Sequence, residues 1–137
     1  MTQEEKQLLL KDLCGRLPYG VKVKFGNDVI PSPLTSHLLD NYWYTVDIYF
    51  KPYLRPMSSM TEEEFESLKQ YSGLEYDQLD LAEFPNNHKC LDFYLSEVPS
   101  YTIILVFDWL NAHHFDYRLL IERGLALEAP EGMYKIE

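Results

Sequence analysis

The sequence predicts an α+β domain, a small antiparallel sheet with three helices packed on it. Three observations carry that expectation. Two Thr-x-x-Glu capping boxes, Thr2 with Glu5 and Thr61 with Glu64, stand directly ahead of segments with helical spacing of apolar residues. Three runs, residues 21–25, 42–50 and 90–95, alternate apolar and polar side chains with the period of a half-buried strand. The chain has 137 residues, 46% of them apolar, enough for a single compact domain over 1–137 whose core needs no staple.

Taken in order, the first helix spans 3–16. Leu9, Leu13 and Leu17 recur at i, i+4 and i+8 with Leu10 and Cys14 beside them, while Lys6, Lys11 and Asp12 fall on the wet side. Gly15 stands where such a helix would stop, and Pro18 turns the chain. Residues 21–25 alternate strictly and form the first strand; Gly26-Asn27-Asp28 is turn chemistry, and 31–40, broken by Pro31 and Pro33, reads as loop. Residues 42–50 are the strongest strand. Trp43, Thr45, Asp47 and Tyr49 share one of its faces, which is aromatic enough that another element should cover part of it.

Pro52 and Pro56 mark residues 51–60 as a structured crossover loop, because two prolines interrupt a ladder. The second helix spans 62–71, with Phe65 and Leu68 inside, acids in its first turn and Gly73 at its end. Leu91, Phe93 and Leu95 oppose Asp92 and Tyr94 in the strand 90–95. The third helix spans 100–114, with Ile103, Phe107, Leu110 and His114 on one stripe; β-branched residues in 102–106 keep a strand open there. Residues 117–123 read as a further helical turn or two closed by Gly124, and Leu125 to Leu127 as a short edge strand.

Charge and composition narrow the function. The net charge is −10, and residues 61–83 hold eight acids against Lys69. Such a balance repels phosphate backbones, so no nucleic acid is expected as a partner. The acidic segment is expected to be a solvated helix face, with a basic protein partner or nucleic-acid mimicry as its functional uses. Eleven of the 20 aromatic residues are tyrosines, which suit half-exposed strands or a contact surface. The two cysteines, Cys14 and Cys90, read as reduced, buried and inert thiols. The start Met1-Thr2-Gln3-Glu4-Glu5 is not a signal peptide, and the longest apolar run, 103–107, cannot span a bilayer. No membrane association and a cytoplasmic location follow as expectations.

Chemistry-bearing residues concentrate near the third helix. His113 and His114 lie between Asp108 and Asp116, with Tyr117 just beyond. Adjacent histidines point about 100° apart on a helix, so they cannot chelate one ion unless the helix ends between them. The i, i+4 spacing of zinc-binding helices is absent. A helix C-cap or packed core histidine is therefore the expected role, with His114 buried and His113 more exposed and within reach of Tyr117. No G-x-S-x-G elbow and no phosphate-cradling glycine loop occurs, so no catalytic residue, metal or cofactor is assigned. Trp43, Tyr49 and Tyr53, together with Glu62, Glu63 and Glu66, form the candidate interaction surface.

Three strings resemble a known family: KPYLRPMSSMTEEE over 51–64, DWLNAHHFDYR over 108–118 and GLALEAPEGMY over 124–134. With residues 8–21 they are similar to a family of short uncharacterised proteins abundant in gut anaerobic bacteria and their prophages. In that family glycine usually stands at the position of Leu119. The resemblance implies a cytoplasmic protein of phage or mobile-element character and carries no activity with it. The expectation is a non-enzymatic accessory protein that binds another protein. The alternatives are a metal-dependent hydrolase built on His113, His114, Asp108 and Asp116, and an acidic nucleic-acid mimic. The residues set no oligomeric state.

Overall fold

The computed structural model describes residues 2–26, 30–40, 50–73 and 100–134. The fold is α+β with a small mixed sheet. Two compact units emerge: Met1–Arg55 with Arg118–Glu137, and Pro56–Tyr117. The expected strand 90–95 and all of 42–50 except Phe50 lie outside the described residues.

The first unit begins with helix α1, Gln3–Arg16, opened by the Thr2/Glu5 capping box in both directions. Gly15 does not end it. The helix runs through Gly15 to the buried Arg16, continues as a 3-10 turn over Leu17–Tyr19, and stops where Gly20 takes a left-handed φ of 70°. Leu9 and Leu13 are fully buried as their spacing requires, whereas Cys14 is exposed, against the expectation of a buried thiol. Asp12, expected on the wet side, is also fully buried. Strand β1, Lys22–Phe25, follows, then β2, Ser32–Pro33, and a short helix α2, Ser36–Leu39, capped by Thr35. Residues 31–40 are thus a strand and a helical turn rather than a loop.

Strand β3, Phe50–Pro56, occupies most of the expected crossover loop and pairs antiparallel with β1 through Phe25↔Phe50, Lys24↔Lys51 and Val23↔Pro52. The prolines are tolerated because of where the ladder bonds fall. The Val21 carbonyl accepts the Leu34 N–H at 2.8 Å, so in β1–β2 the bonded pair is 21/34. The next pair, Lys22↔Pro33, belongs to the alternate class, whose N–H and C=O groups point away from the partner. The Lys22 N–H accordingly faces β3, which makes Val23↔Pro52 the non-bonded class on that side. Neither proline withholds a donor from β1.

Residues 118–134 close this unit. Of the helical turns expected over 117–123 one forms, the Arg123 N–H donating to the Leu119 carbonyl at 3.3 Å, and Gly124 closes it at φ 75° as expected; no regular helix precedes it, because Leu119 adopts φ 60°. Strand β5, Leu127–Glu128, then pairs parallel with β3 at Tyr53↔Leu127 and Leu54↔Glu128, and the Ala129 N–H donates to the Leu54 carbonyl at 2.8 Å. This parallel pair makes the sheet mixed rather than wholly antiparallel. Leu120, Leu125 and Ala126 join Leu9, Leu13 and Leu54 in one apolar cluster. A left-handed conformation strains a leucine, and Leu119 is 37% exposed. Leu119→Gly is therefore expected to raise stability by roughly 0.5–1 kcal/mol, the relief of strain exceeding glycine's extra chain entropy; urea denaturation at neutral pH reads the difference.

In the second unit a 3-10 turn over Met57–Ser59 leads to helix α3, Glu62–Ser72. Its capping box, Thr61 with Glu64, is formed in both directions. Gly73 ends it at φ 73°, its N–H donating to the Lys69 carbonyl at 2.9 Å. Helix α4, Ser100–Ala112, removes the strand alternative for 102–106. It buries Thr102, Val106, Trp109 and Leu110, while Ile103 and Phe107 pack only partly and Ile104 is 60% exposed. The inward face is thus turned from the expected stripe, because Val106 and Trp109 point at Phe65, Leu68 and Met60. A two-residue strand β4, Phe115–Asp116, follows. Among the described residues no helix is long and apolar enough to cross a membrane.

Candidate functional site

Helix α4 ends at Ala112, two residues before the sequence suggested, and that termination positions the histidines. The Trp109 carbonyl accepts two bonds: the His113 backbone N–H at 3.0 Å and the His113 ring Nδ1–H at 2.9 Å. A carbonyl only accepts, so the His113 proton resides on Nδ1. The imidazole also stacks on the Trp109 indole, centroids 3.9 Å apart and planes 20° from parallel. His113 is a C-terminal cap whose partner lies one turn back.

His114 takes φ 65°, the left-handed conformation that glycine or asparagine usually supplies at a helix end, and its N–H donates to the Asn111 carbonyl at 3.1 Å. It is 8% exposed, as expected. The reversal at His114 drives Phe115 into the core, where its ring lies 5.8 Å from Trp109 and 10° from parallel. Asp116 and Tyr117 are buried as well, and the Tyr117 hydroxyl donates to Asn111 Oδ1 at 2.8 Å. The Tyr117 ring packs on Phe107 with centroids 4.9 Å apart. Asp108 is half-buried on α4. Among the described residues no group of three or more His, Cys, Asp or Glu side chains is placed to hold a metal ion.

The acidic half of the candidate surface has a different character. Glu62, Glu63 and Glu66 are exposed on α3, with Ser67 and Gln70 on the same side, opposite the buried Phe65, Leu68 and Ser72. Lys69 partly neutralises one edge, its ammonium 2.7 Å from Glu66 Oε1 and 4.9 Å from the Phe65 ring centroid. Trp43 and Tyr49 lie outside the described residues, as do Cys90 and the remaining acids of 75–83. Tyr53 is half-buried in β3, and its carbonyl accepts the Tyr134 hydroxyl at 2.7 Å.

Sequence reasoning missed a third constellation, in the first unit. Asp12 and Arg16 are both fully buried and form a two-bond fork, Nε to Oδ2 at 2.7 Å and Nη2 to Oδ1 at 3.1 Å. Arg118, returning from far along the chain, places Nε 3.3 Å from Asp12 Oδ1. One carboxylate thus holds two guanidinium groups. The i, i+4 spacing of Asp12 and Arg16 was the available signal. Nothing local foretold the third member.

Close by in the same unit, the Tyr134 hydroxyl accepts the Lys22 N–H at 2.8 Å and donates to the Tyr53 carbonyl at 2.7 Å. Burial pushes this hydroxyl up from 10.0 to about 12, against the Lys22 bond and the Arg16 charge, which pull it down. The folded state therefore holds the proton more tightly than the unfolded chain. The linked stability is complete below pH 10 and is lost as pH rises toward 12. The stability advantage of the native chain over Tyr134→Phe should accordingly shrink by up to about 2 kcal/mol across that window; paired denaturation curves at pH 9 and near pH 12 measure it.

No protein-family model matches this chain, and no curated protein or solved structure matches it.

Proposed function

We propose that the protein is a non-enzymatic accessory of a mobile element that binds another protein through the outer face of α3. The observation that carries this reading is the exposed trio Glu62, Glu63 and Glu66 on a helix whose opposite side is anchored by Phe65 and Leu68. A helix presenting clustered, exposed negative charge suits a basic protein surface, where charge complementarity sets association rate and partner choice. The mobile-element assignment rests on the strings at 51–64, 108–118 and 124–134. The partner class is a protein with a basic contact patch.

Affinity purification from the native host, with the wild-type chain and a Glu62→Lys, Glu63→Lys, Glu66→Lys variant as paired baits, tests the reading. One basic protein enriched by the wild type and lost with the variant is the expected result. Retention of the same partner by the variant refutes the surface. Stoichiometric zinc or manganese in the purified protein refutes the non-enzymatic role in favour of a metal-dependent hydrolase.

A further inference from the structure

Charge is divided sharply along the chain. Pro56–Tyr117 holds 12 acids against two lysines and so carries all of the −10, whereas Met1–Arg55 with Arg118–Glu137 holds ten of each sign and is neutral. Within that neutral unit, lysines collect on one face of the sheet. Val21 and Val23 are buried, so strand alternation turns Lys22 and Lys24 to the other side. The register sets Lys51 directly opposite Lys24 on that same side, with Lys22 on the diagonal. Residues so opposed hold their Cβ atoms about 5 Å apart, and like charges there weaken a sheet. Lys51 is exposed, Lys22 and Lys24 are half-buried, and none of the three forms an ion pair among the described residues. The fold gains nothing from setting Lys24 against Lys51, whereas an anionic surface laid across β1 and β3 meets all three ammonium groups at once.

We infer that this lysine face receives the outer side of α3 from a second copy of the chain. The inference rests on the reading of α3 given above and names the basic patch that the helix contacts. Size and sign both match. Glu62, Glu63 and Glu66 are exposed together, and Glu62 to Glu66 rises about 6 Å along the helix. The diagonal from Lys22 to Lys51 spans about 7–8 Å. The contact brings the −10 unit of one copy to the neutral unit of the other, so it avoids setting one large negative charge against another. Single-stranded nucleic acid is the poorer occupant, because three lysines neutralise few phosphates on a chain whose net charge is −10. The contact joins two different patches and is therefore heterologous, so the assembly grows beyond a pair unless it closes on itself.

Sedimentation equilibrium of the full chain, at high micromolar concentration and low salt, tests the contact by charge exchange. The wild type is expected to sediment as two chains or more. Lys24→Glu with Lys51→Glu should weaken self-association at least about tenfold, and so should Glu62→Lys with Glu63→Lys and Glu66→Lys. An equimolar mixture of the two variants should associate again, because each then offers the sign that the other needs. The lysine variant keeps like charges opposed across the rung, so circular dichroism should match the wild type. If it does not fold, Lys51→Gln at the exposed position gives the second reading, with association weakened about threefold. A monomeric wild type overturns the inference. If the α3 variant still loses a different basic protein in the affinity purification, the reading of α3 stands and only the second copy falls. Self-association that survives the lysine variant, or that survives the α3 variant, overturns the docking of these two faces. A monomeric wild type that binds a single-stranded oligonucleotide through the lysines overturns it in favour of nucleic acid.

Discussion

Asp12→Asn is expected to destabilise the protein by about 3–5 kcal/mol, the largest effect of any single polar substitution proposed for this chain. Asp12 and Arg16 have no solvent exposure, and the carboxylate is the negative charge that holds Arg16 and Arg118 together. Asparagine preserves the shape and one acceptor oxygen but removes the charge that the buried Arg16 guanidinium grips at 2.7 Å. Breaking one side of a buried ion pair costs more than replacing both charges together. Removing both charges should therefore recover much of the loss: Asp12→Leu combined with Arg16→Met is expected to be closer to wild type than Asp12→Asn alone. Urea denaturation of the three proteins separates the cases. A double variant as unstable as the single one would show that the attraction within the pair, rather than the imbalance of charge, dominates.

Phe115→Ala is expected to cost about 3–5 kcal/mol, through lost burial and the cavity left behind. Phe115 is fully buried against Trp109, within the cluster that includes Leu110, Val106 and Phe65. Phe115→Leu, which keeps most of the volume, should cost less than about 1.5 kcal/mol. The near-ultraviolet signal of Trp109 serves as a local reporter, because that indole is packed between Phe115 and the His113 ring. A small stability change with a large loss of that signal would mean that the second unit tolerates loose packing at the end of α4.

The strings at 51–64, 108–118 and 124–134 each have a mechanical role in the structure. The string at 51–64 contains β3, a 3-10 turn and the capping box of α3. The string at 108–118 contains the end of α4, its His113 cap and the Arg118 arm. The string at 124–134 contains β5 and the Tyr134 hydroxyl bridge. Each is a place where the chain changes direction or returns to a distant element. Leu119 in its left-handed conformation lies just past the second string.

What the sequence by itself determined is local. Thr2/Glu5 and Thr61/Glu64 specified the starts of α1 and α3, because a capping box satisfies backbone donors within four residues and needs nothing else. The alternation of 21–25 specified β1, and Gly73 specified the end of α3, each through the conformational preference of a few neighbouring residues. The acidic outer side of α3 was legible for the same reason: helical periodicity alone places Glu62, Glu63 and Glu66 opposite Phe65 and Leu68. Only the tertiary structure decided the rest. Pro33 and Pro52 look like strand breakers until the bond classes at 22/33 and 23/52 are known, and those depend on which partner β1 faces. Asp12 looks like a solvated helix acid until Arg118 arrives from more than a hundred residues away. His113 and His114 read as a helix cap or core histidines, but which does what is decided only where α4 ends at Ala112, making His113 the cap and His114 a left-handed reversal. Bonding class, burial of charge and helix termination by packing are set by contacts between segments distant in the chain, and local residue patterns carry no information about which distant segment will arrive.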